Sequence, residues 1–242
     1  MTQPSTALPA DVLTRPTLVT AIAGSLTVAS VAATAAFAIG RYPAIPVLLP
    51  VHFRGGRVDV LMLKTYGLVL LPVWTQLILA LVIGSVAALL LHRARAGGSE
   101  EPTHRLRMLH SAEAISLLGF IWIGFQFITQ VALIDVWMRR QPGMGRSYYV
   151  ALVTCIVLSI VVAGRTALQI GRPAAPRADE QALWRFKALY VNPADPALFV
   201  PARYGYGLTL NFGRPLAIVV MLGILLAGLG GPFLLARFLL RY

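Results

Sequence analysis

The chain has 242 residues, 57% hydrophobic and 12% charged, with 21 Lys and Arg against 9 Asp and Glu, a net charge of +12 and a mean hydropathy of +0.74. Soluble domains carry roughly 25% charged residues, so this composition argues against a soluble globular domain, a disordered tail or a disulfide scaffold, and leaves a polytopic membrane protein. The basic residues are spread over every loop rather than massed in one stripe, which suits anionic lipid headgroups and not nucleic acid.

In chain order, residues 1–16 are Pro-, Thr- and Ser-rich and read as a disordered tail. Residues 17–40 carry no charge and as a helix would span about 36 Å, against a hydrocarbon core of about 30 Å. The run is too long for the apolar stretch of a cleaved signal peptide, and Arg15 is offset by Asp11. Uncharged residues 66–91 form a second run. A short polar loop, 92–110, holds His92, His104 and His110 at no metal-ligand spacing and reads as solvated. Residues 111–138 form a third run, interrupted by Glu113 and Asp135, and residues 148–170 a fourth, which carries Arg165 and the single cysteine, Cys155. Cys155 reads as a small buried hydrophobe. A linker over 172–180 leads to a turn-rich segment, and residues 215–240 form a fifth run.

The expected fold is therefore an all-α integral membrane protein of five transmembrane helices, with a small extramembrane β-hairpin before the last. It divides into the tail 1–16, a first helix pair 17–91 with a structured outer loop 41–65, a second helix pair 92–170, a linker and turn/hairpin segment 171–214, and a last helix 215–242. Tyr66, Trp137, Tyr148, Tyr149 and Tyr242 sit near run ends, as interfacial anchors do. With the N-terminus inside, inner segments hold eleven Lys and Arg and outer segments nine, a thin margin that places the N-terminus in the cytoplasm.

The outer loop carries three prolines, then His52-Phe53, a Gly55-Gly56 turn, Asp59 and Lys64. The prolines are expected to hold the chain extended. His52 and Asp59 can pair or co-ligate a metal ion, although two ligands are too few for zinc. A structural reading has Asp59 capping the next helix, Lys64 meeting Asp59 or lipid phosphate, and Phe53 dipping into the interface. This ordered set of Pro50, His52-Phe53, the glycine turn, Asp59 and Lys64 resembles the signature of the uncharacterised N-terminal domain of SdpI-type bacterial immunity proteins, over roughly residues 20–90. The resemblance implies the bacterial cytoplasmic membrane. It also makes His52, Phe53, Gly56, Asp59 and Lys64 candidates for recognising a peptide toxin or a protein partner.

The segment from Trp184 to Pro215 contains Asn192-Pro193-Ala194-Asp195-Pro196, a dense turn. Two strand-like runs follow, Leu198 to Arg203 and Leu208 to Phe212, around Tyr-Gly-Tyr-Gly; this reads as a β-hairpin, and Pro215 opens the last helix. The block resembles a second uncharacterised domain, one that commonly follows the first in bacterial membrane proteins of this size. It stands where SdpI-type proteins carry a different membrane half. Asn192, Asp195, Phe199, Asn211 and Phe212 are its candidate docking residues, although Asn192, Asp195 and Asn211 also suit plain turn and cap hydrogen bonding.

Within the runs, Glu113, Asp135 and Arg165 are the intramembrane polar candidates, with Gln76, Gln126 and Gln130 as amides. Arg165 faces the level of residue 121, about 12 Å from Glu113 at the helical rise, so a direct pair needs an offset. Catalytic motifs are missing: there is no His-Glu-x-x-His, no Gly-x-Ser-x-Gly and no paired membrane aspartates. The reading is non-enzymatic, without cofactor or metal, in contact with membrane lipid. The function expected is immunity or peptide sensing through the outer loop. The alternative is an accessory subunit docking through the 184–214 hairpin, and a small-solute transporter is disfavoured because no inverted repeat is present.

Overall fold

The structure, a computed structural model, describes residues 17–96, 102–140, 142–170, 180–186, 188–203 and 208–225. Helix α1, Leu18–Arg41, begins where the extended Thr17 accepts a hydrogen bond from the Thr20 amide at 3.3 Å, satisfying one of the free N–H groups of the first turn. A 3-10 turn, Tyr42–Ala44, leads to strands β1, Leu48–Arg54, and β2, Arg57–Leu63, an antiparallel pair. The one-turn helix α2, Tyr66–Val69, is capped by Thr65 and precedes α3, Leu71–Ala96. Helices α4, Pro102–Arg139, and α5, Arg146–Ile170, follow. Beyond a 3-10 turn at Glu180–Leu183 come β3, Trp184–Arg185, β4, Leu189–Tyr190, β5, Phe199–Pro201, β6, Leu208–Leu210, and α6, Pro215–Leu225.

Helices α1, α3, α4 and α5 are long and apolar enough to cross a membrane. The fifth run is described only as far as Leu225, an α6 of 11 residues; the rest of 215–240, the tail 1–16 and the Tyr-Gly-Tyr-Gly turn lie outside the described residues. Helix α4 is the axis of the bundle and packs along α1, α3 and α5. Between the helices the wholly buried Gln76 of α3 donates to Thr34 Oγ1 of α1 at 2.9 Å and to the Ile123 carbonyl of α4 at 2.8 Å, binding three helices through one amide. Cys155 is buried, with Sγ turned toward the Ile121 carbonyl. The opposite face of α5 exposes Val150, Val153, Val157, Ile160 and Val161.

The structure revises several expectations. Most of 92–110 is helical: α3 runs on to Ala96 and α4 starts at Pro102, a favoured first-turn residue. Charges there mask an apolar face on which Met108 and Leu109 pack with Ala94. Trp137 is no interfacial anchor, being 3% exposed in the core. The outer loop is a β-hairpin rather than a proline-extended strap. A short hairpin, β3–β4, precedes the anticipated one.

Two apolar clusters lie toward opposite ends of α3 and α4. In one, Ala38, Ile45, Leu49, Leu68, Val69, Ile134 and Trp137 join α1, β1, α2 and α4 under the β1–β2 hairpin. In the other, Val86 and Leu90 of α3 and Ala112 of α4 meet Leu198, Phe199, Leu210 and Ala217.

Candidate functional site

The β1–β2 hairpin is closed by Gly55 and Gly56, at φ 57° and 79°. A two-residue turn of type I′ needs positive φ at both positions, which glycine adopts without strain. Registers pair Leu48 with Leu63, His52 with Val60 and Arg54 with Arg57, with irregularities on either side of His52. Pro50 has no N–H to give the ladder, and the bulges lie beside it. They leave Val51 and Asp59 without opposite partners and re-aim the neighbouring side chains. As a result His52 Nδ1 lies 2.5 Å from Asp59 Oδ1 and donates to it, while Arg54 Nε sits 3.5 Å from the other carboxylate oxygen. The His52 and Asp59 side chains are 42% and 29% exposed. The hydrogen bond from His52 holds the Asp59 carboxyl below its ordinary value of 3.8; the charges of His52 and Arg54 add to this and partial burial opposes it.

Of the five outer-loop candidates, the structure brings His52 and Asp59 together and puts Gly56 at the tip beside them. Phe53 packs inward on the cluster beneath the hairpin. Lys64 stands at the base, away from Asp59. Its Nζ donates to the Tyr42 carbonyl at 3.0 Å and to the Ile45 carbonyl at 2.7 Å, and lies 4.6 Å from the Tyr42 ring centroid. Lys64 therefore fastens the hairpin exit to the end of α1, while Thr65, not Asp59, caps the following helix. Tyr42 also stacks on Tyr66 at 4.0 Å. Arg54 and Tyr42 were not among the sequence candidates; the adjacency of Arg54 to the His-Phe pair was the available signal.

At the other end, Asn211 is fully buried. Its Nδ2 donates to the carbonyls of Asn192 at 2.9 Å, Asp195 at 3.2 Å and Ala197 at 3.0 Å. Its Oδ1 accepts from the amides of Asn192 and Gly213, both at 3.0 Å. Asp195 accepts from the Ala197 amide at 2.8 Å and from the Tyr190 hydroxyl at 3.2 Å, and Asn192 accepts from the Ala194 amide at 3.1 Å. Gly213 lies so close to this turn that a Cβ there would stand 2.5 Å from the Asn192 carbonyl carbon. Strands β5 and β6 pair Phe199 with Leu210 and Pro201 with Leu208. Phe199 is buried, and Phe212 packs against the same cluster. The side chains proposed for docking thus meet groups of their own chain. Among the described residues, the exposed aromatic of this region is one that sequence reasoning missed: Phe186, 91% exposed and at φ 51°.

The intramembrane candidates are not gathered. Glu113 is buried with His110 Nδ1 at 3.6 Å, one turn away on the same helix. Asp135 is bound by Arg139 at 2.6 Å, again within α4. Arg165 is exposed on α5. Among the described residues no three His, Cys, Asp or Glu side chains converge in a metal-binding group.

A family of unknown function (DUF5808) matches residues 193–218, the stretch that holds Asp195, the β5–β6 pair, Asn211 and the start of α6. No curated protein and no solved structure matches the chain.

Proposed function

We propose that the chain is a non-enzymatic, multi-pass protein of the bacterial cytoplasmic membrane, of the immunity or peptide-sensing kind, with the β1–β2 hairpin as its recognition element on the outer face. The four apolar helices support the membrane setting. So does the spacing of the two end clusters: from Leu71 to Leu90 α3 rises about 29 Å, close to the roughly 30 Å hydrocarbon core. The thin Lys and Arg excess orients the N-terminus inward.

The observation that carries the recognition reading is the His52–Asp59–Arg54 cluster, displayed in water on a hairpin whose base is fixed by Lys64. Exposed ion pairs contribute little to stability, whereas polar groups on a rigid support are how binding surfaces are built. The test is protection of cells challenged with a panel of membrane-active bacterial peptides. His52→Ala and Asp59→Ala are expected to insert normally and to lose at least about tenfold of the protection given by the wild type. Protection equal to wild type removes the reading.

A second reading, an accessory subunit of a membrane complex, is favoured by Phe186, whose ring is almost wholly exposed at a tight turn. It predicts a co-purifying partner from native membranes that Phe186→Glu releases. A partner retained by that variant excludes docking through this turn.

A further inference from the structure

Under the β1–β2 hairpin is an apolar pocket of about 220 Å³, lined by Pro50 and Phe53 of β1, Leu71 of α3, Leu133 and Val136 of α4, and Met144 of the α4–α5 loop. Pockets for drug-sized ligands run from roughly 300 to 1,000 Å³, so this one suits one or two apolar side chains. Three arginines flank its lining in sequence. Arg54 adjoins Phe53, while Arg140 and Arg146 bracket the loop that contributes Gly143 and Met144 to the lining, and all three arginines are exposed. The two nearby carboxylates are already engaged, Asp59 by His52 and Arg54, Asp135 by Arg139. Among the described residues, Arg140 and Arg146 have no carboxylate partner.

We infer that this pocket seats a single aliphatic or aromatic side chain of an acidic peptide, whose flanking carboxylates are met by Arg140 and Arg146. The inference rests on the reading of the hairpin as a recognition element and names the chemistry of what it recognises. Apolar burial supplies the anchor and the bidentate geometry of arginine the selection for carboxylate. A strand and a loop beyond the helix ends close one side of the pocket and α3 and α4 the other, and it is too small to sheathe an acyl chain, which favours a peptide over a lipid.

The probe is a capped pentapeptide with one phenylalanine between two aspartates, titrated against the full chain in phosphatidylcholine nanodiscs. Methionine-methyl NMR gives the readout: Met144 is one of 6 methionines and is assigned with Met144→Leu. The Met144 methyl is expected to shift saturably, at least about tenfold tighter than with lysine-flanked or alanine-centred peptides. Arg140→Ala with Arg146→Ala should weaken binding about tenfold, and Val136→Phe, which fills the pocket, should abolish it. Met144→Phe, read on the remaining methionines, replaces Val136→Phe if the latter does not fold.

Equal binding of the lysine-flanked peptide, or no saturable shift with the aspartate peptide, overturns the inference. So does the same Met144 shift from phosphatidylglycerol nanodiscs without peptide, which makes this a lipid site. If His52→Ala and Asp59→Ala abolish binding while the pocket-filling variants do not, the hairpin reading stands and the pocket falls. The reverse pattern keeps the pocket and removes the tip.

Discussion

At the β3–β6 end of the bundle, Asn211 spends its whole amide on five backbone groups and is sealed from solvent. At the β1–β2 end, His52 and Asp59 bond each other at the surface. Both ends carry antiparallel strand pairs that bury aromatic and aliphatic side chains on the same helices. They differ in where the polar groups point. Satisfied inward, a buried network fixes one conformation, and leaving part of it unpaired is costly. Displayed outward, a polar cluster adds little to stability and remains available to a ligand. The comparison marks the end near α6 as the locked one and leaves the polar groups of the end near α2 accessible, as the proposed recognition role requires.

The variant that tests this contrast most severely is Asn211→Ala. It strips partners from buried carbonyls and amides, each worth about 1–3 kcal/mol when left unsatisfied. A loss of about 4 kcal/mol is expected, read as a large drop in melting temperature in detergent and as fast hydrogen exchange at Asn192 and Gly213. Melting like wild type would mean that the lock holds nothing. Gly213→Ala follows, at about 3 kcal/mol, because its Cβ meets backbone rather than a yielding side chain.

At the β1–β2 end, Lys64→Met is expected to cost about 2 kcal/mol by leaving two carbonyls without their charged donor. It should also speed proteolysis within 42–65. Gly56→Ala, in open space but at φ 79°, should cost about 1 kcal/mol from left-handed strain alone. A larger loss at Gly56 than at Gly213 would reverse the assignment of the rigid end.

How much of this was legible in the sequence depends on the range of the interaction. The four long helices follow from long apolar runs with few charges, and the Gly55-Gly56 turn, the helix start at Pro215 and the β5–β6 pair from local turn chemistry. The strands at 48–54 were hidden because Leu48 to Val51 show no alternation and include a proline. The helical nature of 102–110 was hidden because His and Arg dilute its hydropathy while Met108 and Leu109 still find Ala94. Lys64 was expected to meet Asp59, a neighbour in sequence, or lipid phosphate. Its acceptors, Tyr42 and Ile45, lie some twenty residues back and are reachable only once β1 and β2 fold on each other. The inward turn of Phe199 and Phe212 is likewise a tertiary fact. His52 with Asp59 was legible because a hairpin brings residues on either side of a glycine turn together.

The mildest perturbation, protonation of Asp59, reports on the outer cluster alone. The bond from His52, then the charges of His52 and Arg54, hold this carboxyl below 3.8 in the folded chain. A carboxylate depressed on folding adds stability that is fully present above its unfolded value and is lost as pH falls through the lower folded one. The hairpin cluster should therefore stay intact through the mildly acidic range and open only below pH 3.8. The ¹³C shift of the Asp59 carboxyl should titrate with a midpoint under 3.8 in the wild type and move upward in His52→Ala, with a smaller move in Arg54→Ala. Asn211 bonds backbone groups alone, so exchange at the Asn192 and Gly213 amides should not follow the Asp59 midpoint. A midpoint unchanged by His52→Ala would mean that the pair is not made in solution. The β1–β2 hairpin would then lose the preorganised cluster that distinguishes it from the β5–β6 pair.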